Sequence, residues 1–321
     1  MSIRARLALH LRLQTIFHKT PALRPGDRVA VVAPAGPFDR ASFEAGLAVL
    51  GERYRLQYDS GIFEQQRYLA GDDARRLAEL TRALTDPTIR AVFCARGGYG
   101  TMRLLEKLAL HLRYTDVPIV GFSDITALHQ WRQRRGFVSI HGPVMTQLGR
   151  LGRSTHERLF SLLESIAPAA ALNGTETFVG GSAEGVLLGG NLSVFTRLLG
   201  TPFMPELEGA ILLLEDVGER PYRLDRMWMH LQLAGVFRQV SGIVLGSFTG
   251  CEERNETYTS QDVLRELAVA TGLPCAAGFP IGHGDSNEPV PLGVRVRLDA
   301  TARQLTFLES AVSLASAVSK E

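Results

Sequence analysis

The sequence has few cysteines and no long hydrophobic run. Its three cysteines, Cys94, Cys251 and Cys275, lie far apart in a chain of 321 residues and show no C-x-x-C spacing. This pattern predicts neither a disulfide framework nor a zinc site, and it favours buried free thiols in a reducing compartment. No segment approaches the roughly 20 uninterrupted apolar residues that a membrane-spanning helix needs. We therefore expect a cytoplasmic protein with no membrane partner.

An excess of charge of one sign is missing as well. The chain has 35 Lys and Arg residues against 33 Asp and Glu residues, a net charge of +2 at pH 7, and the two signs are mixed throughout. Without a one-sided basic surface, no nucleic-acid partner is expected and a small-molecule partner is favoured. The length and the 45% hydrophobic content are sufficient for two hydrophobic cores, which predicts two domains.

The organisation along the chain follows from the hydrophobic pattern. Residues 1–22 are interpreted as an N-terminal extension, because Arg6, His10 and Arg12 interrupt the run that a secretory signal requires; a targeting segment remains the alternative. Residues 23–165 alternate short β-branched runs with helical patterns, which predicts a parallel sheet covered by helices on both faces. Residues 166–184 are rich in Ala, Gly, Ser and Thr and are predicted to be a linker. Residues 185–321, which end in an Ala- and Ser-rich tail, are predicted to form a second domain.

Ser123 stands where a predicted strand, residues 117–120, meets a predicted helix that begins at Ile125. A hydroxyl on such a turn points out of the carboxyl edge of the sheet, beside the unpaired first N–H groups of the helix, which can hold an oxyanion. Ser123 is therefore a candidate nucleophile. The local pattern alone favours a helix N-cap, a position at which Ser is common.

Residues 96–101 form a glycine-rich segment after the predicted strand 91–94. A dinucleotide-binding loop would need a third glycine where Arg103 stands, and no Walker lysine follows. Glycines also allow the backbone to approach a ligand closely and to adopt positive φ. A substrate or oxyanion loop is the favoured interpretation, with a structural turn and a nucleotide loop as alternatives.

An acid and a histidine complete the set of chemical candidates. Glu215 follows an apolar strand, and it is either a solvated or capping acid or a carboxylate that orients an imidazole. His283 lies between two glycines, which leave its ring accessible as a general base, although a lone histidine is commonly a surface residue. With Ser123, these residues have the chemistry of an acyl-transfer site.

A series of short segments occurs in the order seen in the LD-carboxypeptidases. These segments are residues 24–34, 96–100, 121–126, 141–143, 189–192, 214–217, 222–226 and 282–284. The chain resembles this serine peptidase family, which includes muramoyltetrapeptide carboxypeptidases and microcin C immunity peptidases, from about residue 23 to residue 308. Residues 34–37 depart from it, because relatives often carry a serine there.

The resemblance implies roles for named residues. Ser123 would be the nucleophile, His283 the general base and then acid, and Glu215 the residue that orients the imidazole. The backbone N–H groups of Gly98 and Asp124 would form the oxyanion hole. No metal and no organic cofactor are implied.

The resemblance also implies an α/β fold, an assembly and a substrate. A flavodoxin-like, parallel-sheet N-terminal domain would carry Ser123, and a smaller mixed α/β, partly barrel-like C-terminal domain would carry Glu215 and His283. The active site would lie at their junction in a homodimer. The implied reaction removes a terminal D-alanine from an L-centre, such as that of meso-diaminopimelate in a murein tetrapeptide, during peptidoglycan recycling.

Substrate contacts and competing functions are less constrained by the sequence. An exopeptidase must recognise a free carboxylate, and we predict Arg96, Tyr99 and His141 as substrate contacts. One alternative function is hydrolysis of a microcin C-type peptidyl-nucleotide or acyl-sulfamoyl compound. That function would favour an aromatic clamp for the nucleobase, for which Trp131 and Trp228 are available. The other is a non-catalytic peptide-binding homologue, against which the three residue types of the triad argue.

Overall fold

A computed structural model describes residues 17–112, 115–253 and 257–314 of the chain. Within these ranges the protein is a mixed α/β structure with a six-stranded sheet, an eight-stranded sheet and a separate pair of strands. The predicted N-terminal extension is described only from residue 17 onwards, and residues 315–321 of the Ala- and Ser-rich tail lie outside the described residues.

The strands are short, apart from three in the second half of the chain. In chain order they are β1 (Thr20–Pro21), β2 (Arg28–Val32), β3 (Arg55–Gln57), β4 (Ala91–Cys94), β5 (Ile119–Gly121), β6 (Ser139–His141), β7 (Leu172–Asn173), β8 (Glu176–Val179), β9 (Ser182–Asn191), β10 (Ile211–Val217), β11 (Gly242–Thr249), β12 (Cys275–Ala277), β13 (Val290–Leu292), β14 (Arg295–Asp299), β15 (Gln304–Phe307) and β16 (Val312–Ser313).

The helices connect these strands. They are α1 (Arg40–Gly51), α2 (Asp73–Thr85), α3 (Leu105–His111), α4 (Thr126–Gln133), α5 (Met145–Leu148), α6 (Arg153–Glu164), α7 (Leu192–Arg197), α8 (Pro221–Leu233) and α9 (Ser260–Thr271). None of these helices is long and apolar enough to cross a membrane.

The six-stranded sheet has the order β13-β6-β5-β4-β2-β3, and all neighbours among β2 to β6 are parallel. The first of these five parallel strands lies between the second and the third, which is the strand order of a flavodoxin-like fold. The predicted N-terminal architecture is confirmed.

Alternate side chains of each buried strand enter different cores. All four residues of β4 are buried. Ala91 and Phe93 join a hydrophobic cluster that also contains Leu213 of β10, whereas Val92 and Cys94 join the cluster beneath α2, α3 and α4. Because both faces of the sheet are covered at its centre, β4 is apolar throughout, as buried parallel strands usually are.

The eight-stranded sheet has the order β7-β15-β14-β9-β10-β11-β12-β8. The long strand β9 pairs antiparallel with β14 through its first five residues and parallel with β10 through its last five. The sheet therefore mixes strand directions and curls into a half-barrel, so the predicted C-terminal architecture is confirmed.

Strand β13 joins the two sheets. It belongs to the C-terminal part of the chain, yet it pairs antiparallel with β6, with Val290 opposite His141. His141 is in turn opposite Gly121, the last residue of β5. The segment that contains His283 directly precedes β13, and the return of the chain therefore places this segment at the sheet edge from which Ser123 emerges.

The segment predicted to be a linker contributes strands. Residues 166–184 contain β7, β8 and the first residues of β9. β7 and β8 are the two edge strands of the eight-stranded sheet, and each pairs on one side only. Short edge strands need no continuous β-branched run, which explains why an Ala- and Gly-rich sequence forms them. The domain limits at residues 23–165 and 185–321 stay a prediction.

Candidate active site

Ser123 lies on a sharp turn between β5 and α4. It begins a 3₁₀ turn, Ser123–Ile125, and has a left-handed backbone with φ of 64°. Such a conformation costs a non-glycine residue about 1–3 kcal/mol and is concentrated at functional sites. The Ser123 side chain does not cap the helix; its Oγ lies 3.1 Å from Nε2 of His283. The N-cap interpretation of Ser123 is therefore wrong.

Glu215 lies near the end of β10, opposite an irregularity in β11. β10 pairs regularly with β9 through Glu215, whereas β11 has one residue more than β10 between the pairs Leu214–Leu245 and Asp216–Phe248. Such an extra residue bends the strand that contains it. Glu215 has no exposed surface, and its Oε2 lies 2.6 Å from Nδ1 of His283. Ser123, His283 and Glu215 thus form one hydrogen-bonded chain.

This chain controls the protonation of the imidazole. Burial lowers the pKa of His283, but the hydrogen bond and the negative charge of Glu215 outweigh it, so the pKa is raised above its ordinary value. Complete burial raises the pKa of Glu215, and the hydrogen bond from His283 opposes that rise. When Nδ1–H donates to Glu215, neutral His283 presents the lone pair of Nε2 to the Ser123 hydroxyl.

The loop that carries His283 is fixed by a buried asparagine. Asn287 accepts a hydrogen bond from the N–H of Gly282 at 2.9 Å and donates its Nδ2 to Oε1 of Gln147, next to the N-terminal sheet, at 2.8 Å. Gly282 has φ of 107°, and a Cβ there would lie 2.3 Å from Oε2 of Glu215. The sequence analysis did not single out Asn287, although it stands four residues after His283 in the same loop.

The glycine-rich loop lies directly against the Ser123 turn. A Cβ at Gly97 would lie 2.7 Å from Cβ of Ser123 and 3.3 Å from the backbone N of Asp124, so only glycine fits there. Gly98, which follows, has φ of 104°. This approach brings the two predicted oxyanion donors, the N–H groups of Gly98 and Asp124, to neighbouring segments of backbone.

Polar side chains tie this loop to its surroundings. The carboxylate of Asp124 accepts a hydrogen bond from the N–H of Thr101 at 2.8 Å. Arg76 of α2 has no exposed surface and donates to the carbonyl oxygens of Pro34 and Gly100. Arg76 also forms an ion pair with Asp73. A buried charge therefore holds two loops at the carboxyl edge of the sheet.

The end of β9 packs the eight-stranded sheet against α4, the helix that follows the Ser123 turn. The N–H of Asn191 donates to Oγ1 of Thr126 at 3.0 Å, and Gln130 donates to the carbonyl of Gly189 at 2.8 Å. A Cβ at Gly190 would lie 2.6 Å from Oγ1 of Thr126. The two glycines before Asn191 thus allow the close contact that unites the site.

Family models match both halves of the chain. The LD-carboxypeptidase N-terminal domain matches residues 29–142, and the LD-carboxypeptidase C-terminal domain matches residues 184–298. The chain belongs to the LD-carboxypeptidase family. Among curated relatives, the murein tetrapeptide carboxypeptidase of Pseudomonas aeruginosa is 37% identical over 83% of this chain and 91% of its own length.

Solved structures of LD-carboxypeptidase relatives share the fold. The muramoyltetrapeptide carboxypeptidase from Oxalobacter formigenes has a TM-score of 0.75 at 27% identity, covering 87% of this chain and 97% of its own. MccF in complex with glutamyl sulfamoyl guanosine has a TM-score of 0.83 at 21% identity, covering 92% and 99%. At that identity, the likeness to MccF concerns the fold.

A cleft of about 600 Å³ lies beside the glycine-rich loop that contacts the Ser123 turn of this LD-carboxypeptidase. It is lined by Gly36, Pro37, Gln65, Arg67, Tyr68, Arg96, Gly98 and Tyr99. Two predicted substrate contacts, Arg96 and Tyr99, thus share this cleft with Gly98. Gly36 and Pro37 contribute no hydroxyl to the cleft. Arg67 and Tyr68 are not among the residues predicted from the sequence, because a four-residue turn gives no periodic signal.

His141, the third predicted substrate contact, lies beneath the site. Its side chain is fully buried, and neither ring nitrogen has a hydrogen-bond partner within the described ranges. Its ring contacts that of Phe122, at 5.9 Å between centroids. Burial lowers the pKa of His141 well below its ordinary value, so the ring is neutral. Without exposed surface, His141 cannot contact a ligand in this conformation.

The two tryptophans are also buried. Trp131 and Trp228 are among the largest fully buried side chains, so neither offers a face to a nucleobase. The exposed aromatic rings at the cleft are those of Tyr68 and Tyr99. Within the described part of the chain, no group of three or more His, Cys, Asp or Glu residues could hold a metal ion.

Proposed function

We propose that this protein is a serine-type LD-carboxypeptidase that removes the terminal D-alanine from murein tetrapeptides in peptidoglycan recycling. The observation that carries the proposal is the hydrogen-bonded chain from Ser123 Oγ through His283 to Glu215. This order of hydroxyl, imidazole and carboxylate is that of a serine hydrolase triad. The relative from Pseudomonas aeruginosa, a murein tetrapeptide carboxypeptidase, supports the choice of substrate.

In the proposed mechanism, Ser123 Oγ attacks the carbonyl carbon of the penultimate L-centre while its proton passes to Nε2 of His283. Glu215 accepts the Nδ1–H bond and stabilises the imidazolium. The N–H groups of Gly98 and Asp124 hold the oxyanion. The amide C–N bond then breaks, and His283 returns the proton to the leaving amine of D-alanine. Water, deprotonated by His283, hydrolyses the acyl-enzyme and restores the Ser123 hydroxyl.

Specificity for a chain end requires a cation for the terminal carboxylate. Arg96 and Tyr99 line the cleft beside Gly98, whose N–H is a proposed oxyanion donor. A substrate carboxylate close to the oxyanion would therefore lie in the part of the cleft that Arg96 and Tyr99 line. A guanidinium group can bind a carboxylate through two parallel hydrogen bonds. We propose Arg96 for this role.

The pH dependence of kcat/KM is expected to reflect His283. The imidazole acts as a base only when it is neutral, so activity falls on the acidic side of its pKa. Because Glu215 raises the pKa of His283, the midpoint of the acidic limb is expected above the ordinary value of 6.5. Initial rates at subsaturating tetrapeptide across pH 5 to 9 measure it. A midpoint clearly below 6.5 would contradict the proposed coupling.

The substrate is tested with three compounds offered to the wild-type protein. We expect release of free D-alanine from a murein tetrapeptide at least about 100-fold faster than release of L-alanine from the matched peptide that ends in L-alanine. The third compound is an aminoacyl-sulfamoyl nucleotide. Faster cleavage of that compound would favour the microcin C-type alternative, and no cleavage of any of the three would favour the non-catalytic homologue.

We further propose a cytoplasmic homodimer. Cys94, Cys251 and Cys275 are free and buried, which is consistent with a reducing compartment. The dimer rests on the resemblance to the family described above.

A further inference from the structure

The cleft beside the glycine loop is cationic. Arg67 and Arg96 line it, and none of its lining residues is an aspartate or a glutamate. Neither arginine takes part in an ion pair within the described ranges. Two guanidinium groups without carboxylate partners in one cleft are suited to an anionic ligand.

Arg67 is presented by a tight turn with a fixed backbone. Gln66 and Leu69 exchange backbone hydrogen bonds at 2.9 and 3.0 Å, and Gln65 donates its Nε2 to the carbonyl of Arg67 at 3.0 Å. Arg67 itself has φ of 58°, a left-handed conformation that favours glycine or asparagine. The turn therefore holds a long cationic side chain at a position where its backbone is strained, which is a feature of ligand-binding sites.

Two exposed tyrosines line the same cleft. The rings of Tyr68 and Tyr99 meet edge to face at 5.8 Å between centroids, and the two residues are 55% and 46% exposed. The Arg67 guanidinium lies 5.8 Å from the centroid of Tyr68. Arg96 is held separately, because it donates to the carbonyl of Pro37. The cleft thus combines two cations with an aromatic pair.

The two arginines stand at different positions relative to the nucleophile. Arg96 immediately precedes Gly97, which contacts Ser123. Arg67 lies on a separate turn of the chain, next to Tyr68. A ligand with one carboxylate would need one of these cations, whereas a peptide with a second carboxylate away from the scissile bond would use both. Meso-diaminopimelate has two carboxyl groups, of which a tetrapeptide leaves one free.

We propose that Arg67 binds the free carboxylate of the diaminopimelate residue in an acidic peptide substrate, and thereby selects this peptide over its amidated form. This inference rests on the proposed function. The contact is a charge-assisted hydrogen bond that is equally present in the bound substrate and the transition state. Loss of Arg67 therefore raises KM and leaves kcat nearly unchanged.

The test crosses two substrates with three proteins. The substrates are a tetrapeptide with the free diaminopimelate carboxylate and the same peptide with that group amidated. The proteins are wild type, Arg67→Gln and the matched control Arg303→Gln, which replaces another exposed arginine with φ of 58°, in a turn remote from the cleft. We expect Arg67→Gln to lower kcat/KM roughly 10- to 100-fold for the acidic peptide, through KM, and less than about 3-fold for the amide.

Each other outcome has a definite meaning. An equal loss of kcat/KM with both peptides shows that Arg67 shapes the cleft without binding the diaminopimelate carboxylate. No loss with either peptide shows that Arg67 does not contact the substrate. Both outcomes overturn the inference. Arg67→Lys is expected to recover part of the affinity for the acidic peptide, because it restores the charge without the fork of N–H groups. Failure of the wild-type protein to release D-alanine from either peptide would contradict the proposed function, and with it this inference.

Discussion

Replacement of Ser123 by alanine is expected to lower kcat for D-alanine release by roughly 10⁶-fold, because removal of the nucleophile from a serine hydrolase triad costs about this much. Alanine keeps the Cβ atom that packs against Gly97, and the backbone with φ of 64° is equally strained in both proteins. The melting temperature is therefore expected to stay within about 3 °C of wild type, a shift that corresponds to about 1 kcal/mol. Steady-state rates and thermal unfolding measure the two quantities.

The control for this variant is a serine outside the site. Ser154 is exposed in the first turn of α6, and Ser154→Ala is expected to keep wild-type kcat and KM. A Ser123→Ala protein with an unchanged melting temperature and more than a hundredth of wild-type kcat would show that another group attacks the substrate. A protein that has lost both activity and its unfolding transition would instead indicate that the turn needs the hydroxyl to fold, and the nucleophile assignment would then rest on Ser123→Cys, which retains a nucleophilic atom.

The local sequence around Ser123 describes the turn but not its chemistry. An apolar strand followed by a helical pattern places a serine at a strand–helix junction, and such a serine is usually a cap. What distinguishes Ser123 is its left-handed backbone and its contact with the glycine loop, and its neighbours in the sequence reveal neither of these features. The assignment of Ser123 as nucleophile therefore needed the family resemblance.

The residues that the sequence analysis missed act over long separations in the chain. Asn287 reaches Gln147 across 140 positions, and Arg76 reaches Pro34 across 42. Hydrophobic periodicity reports which face of an element is buried, but it does not report which buried polar group meets which partner. The same limit applies to His141, which is predicted as a substrate contact but is fully buried, because the pattern does not show which side of the sheet edge the last residue of a strand faces.

The different tasks of Glu215 and Asp216 follow from strand alternation, but their partners depend on tertiary structure. Adjacent residues of a strand point to opposite faces of the sheet. Glu215 contacts His283, whereas Asp216 accepts hydrogen bonds from Asn191 and Ser193, away from His283. The sequence predicts that the two acids face opposite ways, but it does not show which of them meets the histidine.

Replacement of Glu215 by glutamine is expected to lower kcat by about 10⁴-fold. The amide of glutamine can donate to Nδ1 of His283, which places the ring proton on Nε2, where it faces Ser123 and leaves no base. The variant also removes the negative charge that stabilises the imidazolium, at a position with no exposed surface, where a charge acts strongly. Rates with the murein tetrapeptide measure the loss.

Asp216→Asn is the matched control, since it changes the neighbouring acid in the same strand. The Asp216 carboxylate accepts bonds from the side chain of Asn191 and from the N–H and hydroxyl of Ser193. An asparagine amide group must oppose at least one of these donors, which costs about 1–3 kcal/mol of stability. Asp216→Asn is therefore expected to lower the melting temperature while kcat stays within about tenfold of wild type, the reverse of the pattern for Glu215→Gln.

The residual activity of Glu215→Gln carries a second signature. Glu215 raises the pKa of His283 against the effect of burial, so its loss lets burial dominate and the pKa falls. The acidic limb of the pH profile of kcat/KM is then expected at lower pH than in wild type, even though the rate itself is lower at every pH. A limb that stays in place would show that Glu215 only shapes the site. A loss of less than about tenfold in kcat would remove it from the proposed triad.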